Sequence, residues 1–213
     1  MSKYGYIGKE SDIPQQAFRA NAGILSVNDH LALSQENKLT QFGQLELIQT
    51  QTVSSATANF TNLQETIYNI HFFTFTDIHF GSQSEFGYQL SNDNASTYET
   101  GYQFANHRGI ENGTFSERIS TTQNTARLFG DIGSNALSAG NGYMYLYNAG
   151  NSAAYTHSTS QCAFRDASDK CAMEYGGQVY NHQEQIHAIR FGLGTGMGAM
   201  ASGTISLYGI RSY

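Results

Sequence analysis

Charge is scarce in this chain. Charged residues make up 13% of its 213 positions, against roughly 25% in an ordinary soluble domain. That composition speaks against a cytosolic enzyme decorated with lysine and glutamate. It fits a surface covered by neighbours or displayed outside a cell. Positive charge is the scarcer kind: 11 Lys and Arg stand beside 17 Asp and Glu, for a formal net charge of −6. No basic cluster exceeds a pair, so non-specific binding of nucleic acid, which rests on neutralising phosphates, is excluded. Long apolar runs are missing as well. None approaches the ~20 residues that span a bilayer, and membrane insertion is not expected. The start, Met1-Ser2-Lys3-Tyr4-Gly5-Tyr6, has neither the apolar stretch nor the cleavage site of a secretion signal. Tryptophan is absent, and proline occurs once, at Pro14.

Only two cysteines are present, Cys162 and Cys171, bracketing a polar segment. Two readings stay open: a disulfide closing a surface loop, or a pair of free thiols in a reducing cytoplasm. A zinc site is not expected, because no second close-spaced Cys or His pair accompanies them.

What the chain has in quantity is aromatic side chains, 13 Phe and 14 Tyr. Many of them alternate with polar residues. The closing stretch Ile205-Ser206-Leu207-Tyr208-Gly209-Ile210 reads as a strand, and a chain whose end is a sheet strand usually belongs to a sandwich or barrel. Upstream, strands are expected at Leu45–Thr50, Thr66–Thr76, Phe86–Leu90, Tyr98–Phe104, Gly142–Tyr147, Ile186–Leu193 and Thr204–Arg211. Phe86–Leu90 and Tyr98–Phe104 read as a pair joined by turn residues Asn92-Asp93-Asn94. In Thr66–Thr76 the apolar set switches from Tyr68, Ile70 and Phe72 to Phe73 and Phe75. The switch points to a β-bulge or to burial on both faces. About eight to ten strands without crossover helices predict an all-β fold, an antiparallel β-sandwich with a jelly roll as the favoured form.

The chain divides near residue 42. Residues 1–42 show no alternation and read as an extended arm, with Ser26-Val27-Asn28-Asp29 capping a short helix through Leu31 and Leu33. So short a helix must dock on something. Ile24, Leu25, Val27, Leu31 and Leu33 are the candidate attachment residues, and residues 43–213 form the sandwich domain.

Candidate chemistry is thin. His71 with His79, and His182 with His187, lack the i, i+2 spacing of strand-borne metal ligands and read as surface or hydrogen-bonded histidines. Asp93-Asn94, and Asp166 with Asp169, read as turn formers without the dense oxygen spacing of a calcium loop. The glycines from Gly192 to Gly198 precede a strand, whereas a phosphate cradle opens a helix. No Gly-x-Ser-x-Gly elbow is present. Glu111, Glu117 and Asp131 read as lone acids in loops, not as the paired carboxylates a glycoside hydrolase needs. The chain therefore reads as no enzyme, with no cofactor. Tyr143, Tyr145 and Tyr147 share one strand face, suited to stacking on sugar rings or to contact between subunits.

Ala22-Gly23-Ile24-Leu25-Ser26-Val27-Asn28-Asp29-His30 and the run from Gly43 to Ser54 resemble the N-terminal part of virion structural proteins of tailed bacteriophages, marine and cyanophage-like ones in particular. Tyr68 to Asp77 and Ala201 to Ile210 are similar to the same group, so the resemblance touches both ends and the middle of the chain. It implies a structural component, either a capsid decoration or a tail or fibre appendage, whose partners are other phage structural proteins. Such subunits are assembled in the host cytoplasm and released by lysis, which needs no signal peptide. The expectations are attachment through the arm and a homo-oligomer, a trimer being favoured. The alternative is a receptor- or carbohydrate-binding module for a host surface glycan.

Overall fold

The computed structural model describes residues 45–192 and 199–210. These residues form twelve strands: β1 (Leu45–Val53), β2 (Thr57–Phe60), β3 (Ile70–Phe80), β4 (Ser84–Ser91), β5 (Tyr102–Ile110), β6 (Phe115–Gln123), β7 (Ala126–Ile132), β8 (Gly140–Tyr147), β9 (Thr156–Arg165), β10 (Cys171–Tyr180), β11 (Ala188–Gly192) and β12 (Met200–Ile210). No helix occurs among the described residues. Every pairing between these strands is antiparallel. The all-β, antiparallel expectation holds. The arm, its helix, and Ile24, Leu25, Val27, Leu31 and Leu33 lie outside the described residues.

Two sheets result. The larger has the order β1-β12-β3-β8-β9-β10-β5-β6, the smaller β2-β11-β4-β7. Consecutive strands therefore tend to alternate between sheets, as β1 to β2, β3 to β4 and β11 to β12 do. The exceptions are β5 to β6, β8 to β9 and β9 to β10, all within the larger sheet, where β9, β10, β5 and β6 carry it beyond β8.

The inner faces of the two sheets share one hydrophobic core. Phe191 of β11 is its hub, with ring centroids 5.1 Å from Phe73, 5.2 Å from Phe75 and 5.9 Å from Phe86. The Phe73 and Phe75 contacts are edge-to-face and the Phe86 contact is stacked, and such ring pairs add to the burial of the rings themselves. Phe60 meets Phe73 at 5.7 Å, and Phe129 stacks on Phe164 at 5.0 Å. Burying aromatic rings from strands far apart in sequence fixes the register of both sheets, because a one-residue slip would turn each ring to the solvent.

Towards β5 and β10 the inner layer becomes polar. Glu174 is fully buried and accepts hydrogen bonds from Asn106 Nδ2 at 3.1 Å and Gly130 N at 3.2 Å. Arg127 of β7 reaches its carboxylate at 3.3 Å and pairs with Glu85 at 2.5 Å. Gln178 donates to Asn106 Oδ1 at 3.0 Å and Ser160 Oγ at 3.1 Å. Arg108 bridges Asp131 at 2.5 Å and Asp166 at 3.1 Å, and Arg118 joins Asp131 at 2.7 Å.

Several local expectations are corrected. The stretch Thr66–Thr76 begins as a turn, since Ile67 N and Tyr68 N donate to Gln64 O at 2.9 and 3.1 Å. From Ile70 onward His71, Phe73 and Phe75 point inward in regular alternation while Phe72 faces out. A bulge exists, but it lies between Phe75 and Ile78, where Asp77 takes φ 56°. The strands starting at Phe86 and Tyr98 are not a pair: β4 joins β11 and β7, whereas β5 begins at Tyr102 and joins β10 and β6. Residues 92–101 cross between sheets. Glu99 N bonds Leu90 O at 2.8 Å, and the Tyr102 hydroxyl accepts from Leu90 N at 2.6 Å.

Candidate ligand-binding face

The outer face of the larger sheet carries most of the aromatic residues the core does not use. Along β8, Tyr143, Tyr145 and Tyr147 point outward while Met144 and Leu146 are buried, as the alternation predicts. Their ring centroids are spaced 6.0 and 6.2 Å. On one side Phe72 of β3 packs against Tyr145 at 4.7 Å and Tyr143 at 5.9 Å, and meets Tyr208 of β12 at 6.1 Å. Phe72 is thus apolar on the outer face because it supports the tyrosine row.

On the other side the strand pairing sets Gln161 opposite Tyr143, Thr159 opposite Tyr145 and His157 opposite Tyr147. The Tyr143 hydroxyl donates to Gln161 Oε1 at 2.9 Å, and Tyr147 Oη lies 3.4 Å from Thr159 Oγ1. Beyond β9 come Met173 and Tyr175 of β10, both exposed, and His107 of β5, whose ring lies 5.8 Å from Tyr175 and 5.5 Å from Phe115.

Two depressions lie in this face. One, of about 770 Å³, runs between the three tyrosines and Met173–Tyr175 over β9. The second, of about 490 Å³, continues over Gly177 and Ala105 towards β5. Tyr147 and Thr159 line both, so the two depressions adjoin, and together they make up the trough. Asp, Glu, Lys and Arg are all absent from the lining. The sequence reading singles out the three tyrosines but misses Gln161, Thr159, Met173, Tyr175 and Gly177. A period-2 pattern is present in β9 and β10, but Thr156, Ser158, Ser160, Glu174 and Gln178 interrupt its apolar inward members, which hides both strands.

The remaining sequence candidates serve the fold. His71 bonds Leu63 O at 2.8 Å, His79 lies 3.0 Å from Asp77, His187 lies 2.8 Å from Glu65, and His182 packs on Tyr180. Asp93 accepts from Ser91 Oγ at 2.8 Å, Thr97 N at 2.9 Å and Thr97 Oγ1 at 2.7 Å. Bonds from Thr97 and Ser91 hold its carboxyl at a pKa of about 2, as a carboxylate that closes a turn. Asp166 caps its own turn through Ser168 N and Lys170 N, both at 2.9 Å, and Asp169 pairs with Arg165. Glu111 does lie in a turn, where it accepts from Cys171 N. Glu117 and Asp131, by contrast, sit on β6 and β7, not in loops. Both cysteines are free thiols: Cys162 faces the core opposite Glu174, while Cys171 is exposed at the start of β10. Burial pushes the Cys162 thiol far up, so it stays protonated. Among the described residues no three His, Cys, Asp or Glu side chains converge to hold a metal ion.

Compared with known proteins, the chain matches no family model and no curated sequence.

Proposed function

We propose that the protein is a non-enzymatic structural component of a bacteriophage particle, a capsid decoration or a tail appendage. Residues 1–42 anchor it, and the larger sheet faces outward. The observation that carries this reading is where the charges go. Arg108, Arg118, Arg127, Glu85, Asp131, Asp166 and Glu174 are all consumed in ion pairs between strands. The centre of the outer face, over β8, β9 and β10, is left to tyrosine, methionine, histidine, amides and hydroxyls, the composition of a contact surface depleted of charge at its centre. The same pairing engages the carboxylates of Glu85, Asp131, Asp166 and Glu174 with arginine.

The strand order supports a finer fold reading. The quartets β1-β12-β3-β8 and β2-β11-β4-β7 are those of a jelly-roll β-sandwich, with hairpins β5–β6 and β9–β10 inserted to widen one sheet. The location is the virion, assembled in the host cytoplasm and released by lysis.

Deletion of residues 1–42 tests the anchoring role. The shortened chain is expected to keep a β-type circular dichroism spectrum, because the twelve described strands all lie beyond the deletion. It is expected to be missing from purified particles, where the full chain is seen by electron microscopy with a label on this protein. A truncated chain that still decorates particles would reject anchoring, and one that does not fold would make the arm a clasp on its own domain.

A further inference from the structure

The trough owes its shape to a row of small side chains. Thr159 of β9 pairs with Gly177 of β10, and Gly177 with Ala105 of β5, so three adjacent strands present almost nothing outward at one level. Tyr145, opposite Thr159, raises the wall at one end of that row.

Gly177 is not required by the backbone. A Cβ added there would meet only Ser158 O, at an ordinary 3.7 Å, and its φ is not in the left-handed region. The neighbouring Gly176 differs: its Cβ would sit 2.3 Å from Asn106 Oδ1 and 2.4 Å from Ala105 O, so packing demands glycine at that position. Glycine in a strand interior weakens it, and one without an internal cause marks a place where something approaches from outside.

The lining states the chemistry of the visitor. Tyr143 stands edge-on to Tyr145 and Tyr147 stacks on it, with centroids 6.0 and 6.2 Å apart, so the row offers ring faces and edges with hydroxyl tips, an apolar body with a polar end that suits the C–H and hydroxyl groups of a sugar. Amide and hydroxyl groups stand beside the rings to meet hydroxyls. Gln161 Nε2 has only the weak acceptor Met173 Sδ, at 3.8 Å, and so keeps its capacity to donate. A trough without Arg or Lys, with His157 its one basic side chain, in a chain of net charge −6 favours a neutral sugar over an acidic one.

We propose that this trough binds a neutral oligosaccharide, lying along the β8 tyrosines and crossing Gly177. The site is built on the β9–β10 and β5–β6 hairpins, and it does not depend on the particle assignment. Sugar binding is measured on the purified full-length protein, so its failure leaves that assignment standing.

The probe is an array of neutral glucose, galactose and mannose oligosaccharides printed beside sialylated and sulfated ones, followed by calorimetric titration with the strongest neutral binder. Neutral oligomers are expected to bind, longer ones better than monosaccharides, with no retention of the acidic series. Gly177→Leu fills the trough floor and Tyr145→Ser removes part of its wall. Each is expected to weaken binding at least about tenfold. Gly177→Leu should do so with an unchanged circular dichroism spectrum, so it carries the test even if Tyr145→Ser misfolds. The proposal is overturned by an array with no neutral binder, or by affinity that survives Gly177→Leu. It is equally overturned if Gly177→Leu disperses an oligomer while no sugar binds, since a second copy of the chain would then occupy the trough.

Discussion

His71 sits fully buried on the inner face of β3, its Nε2 within 2.8 Å of the Leu63 carbonyl and its Nδ1 without a hydrogen bond. The ring is therefore neutral, with Nε2 donating. Burial lowers its pKa, although the Leu63 bond and the charge of Glu65 pull the other way. An unfolded chain takes up this proton near the ordinary value of 6.5, while the folded one does so only at lower pH. Between those two points the unfolded state binds more protons, so stability must fall as pH drops below about 6.5. His71→Gln keeps a donor for Leu63 and has nothing to titrate. Urea unfolding at pH 8 and pH 5 should show a smaller loss on acidification for the variant than for the parent. An equal loss in both would remove His71 as the cause. From sequence alone His71 was one histidine among seven. Its inward position follows from the alternation of Phe73 and Phe75, but its partner, eight residues away across a turn, does not.

At the scale of elements, long strands with alternating apolar residues were legible, whereas the short β2, the almost wholly buried β7 and strands with polar inner residues were not. β3, β8 and β12 bury Phe, Met, Leu and Ile at every second residue, which periodicity detects. β9 buries Thr156, Ser158 and Ser160 beside Cys162 and Phe164, and β10 buries Glu174 and Gln178 beside Ala172 and Tyr180, so the sequence reading assigns no strand to either. Their polar groups are tolerated because partners arrive from other strands: Ser158 bonds both Tyr88 and Gln178, and Arg127 comes from the opposite sheet to Glu174. Removing one member of such a pair strands the other. Arg127→Met should cost about 3 kcal/mol or more, because it leaves the Glu174 carboxylate buried without a cation. Glu174→Gln keeps acceptance from Asn106 or Gly130 and should cost less. Chemical denaturation of both variants checks the order, and an Arg127→Met protein as stable as the parent would mean that the pair contributes little.

For the molecule as a whole, apolar surface is concentrated on edges as well as on the tyrosine face. Leu45 and Leu47 on the edge strand β1 are 52% and 60% exposed, and Phe115 and Ile119 on the opposite edge strand β6 are 60% and 68% exposed. Edge strands with free backbone groups and apolar side chains invite association unless something covers them. Light scattering at micromolar concentration should therefore give a mass above the 23.4 kDa of one chain, with a trimer expected. Leu47→Lys should lower that mass if β1 lies in the contact. A clean monomer of the full-length protein would reject self-association in solution.

The sequence by itself determined the β class, the antiparallel habit and the outward tyrosines of β8. All of these follow from local alternation, which neighbouring residues in the chain encode. Tertiary structure decided the rest: which strands share a sheet, the placement of β9, β10 and β5 beside β8, and the trough those neighbours create. Gly177, Thr159 and Ala105 come from three separate segments and carry no common pattern along the chain. They become one surface only when backbone pairing sets them side by side, and pairing between distant strands is settled by the shared core, not by any local signal.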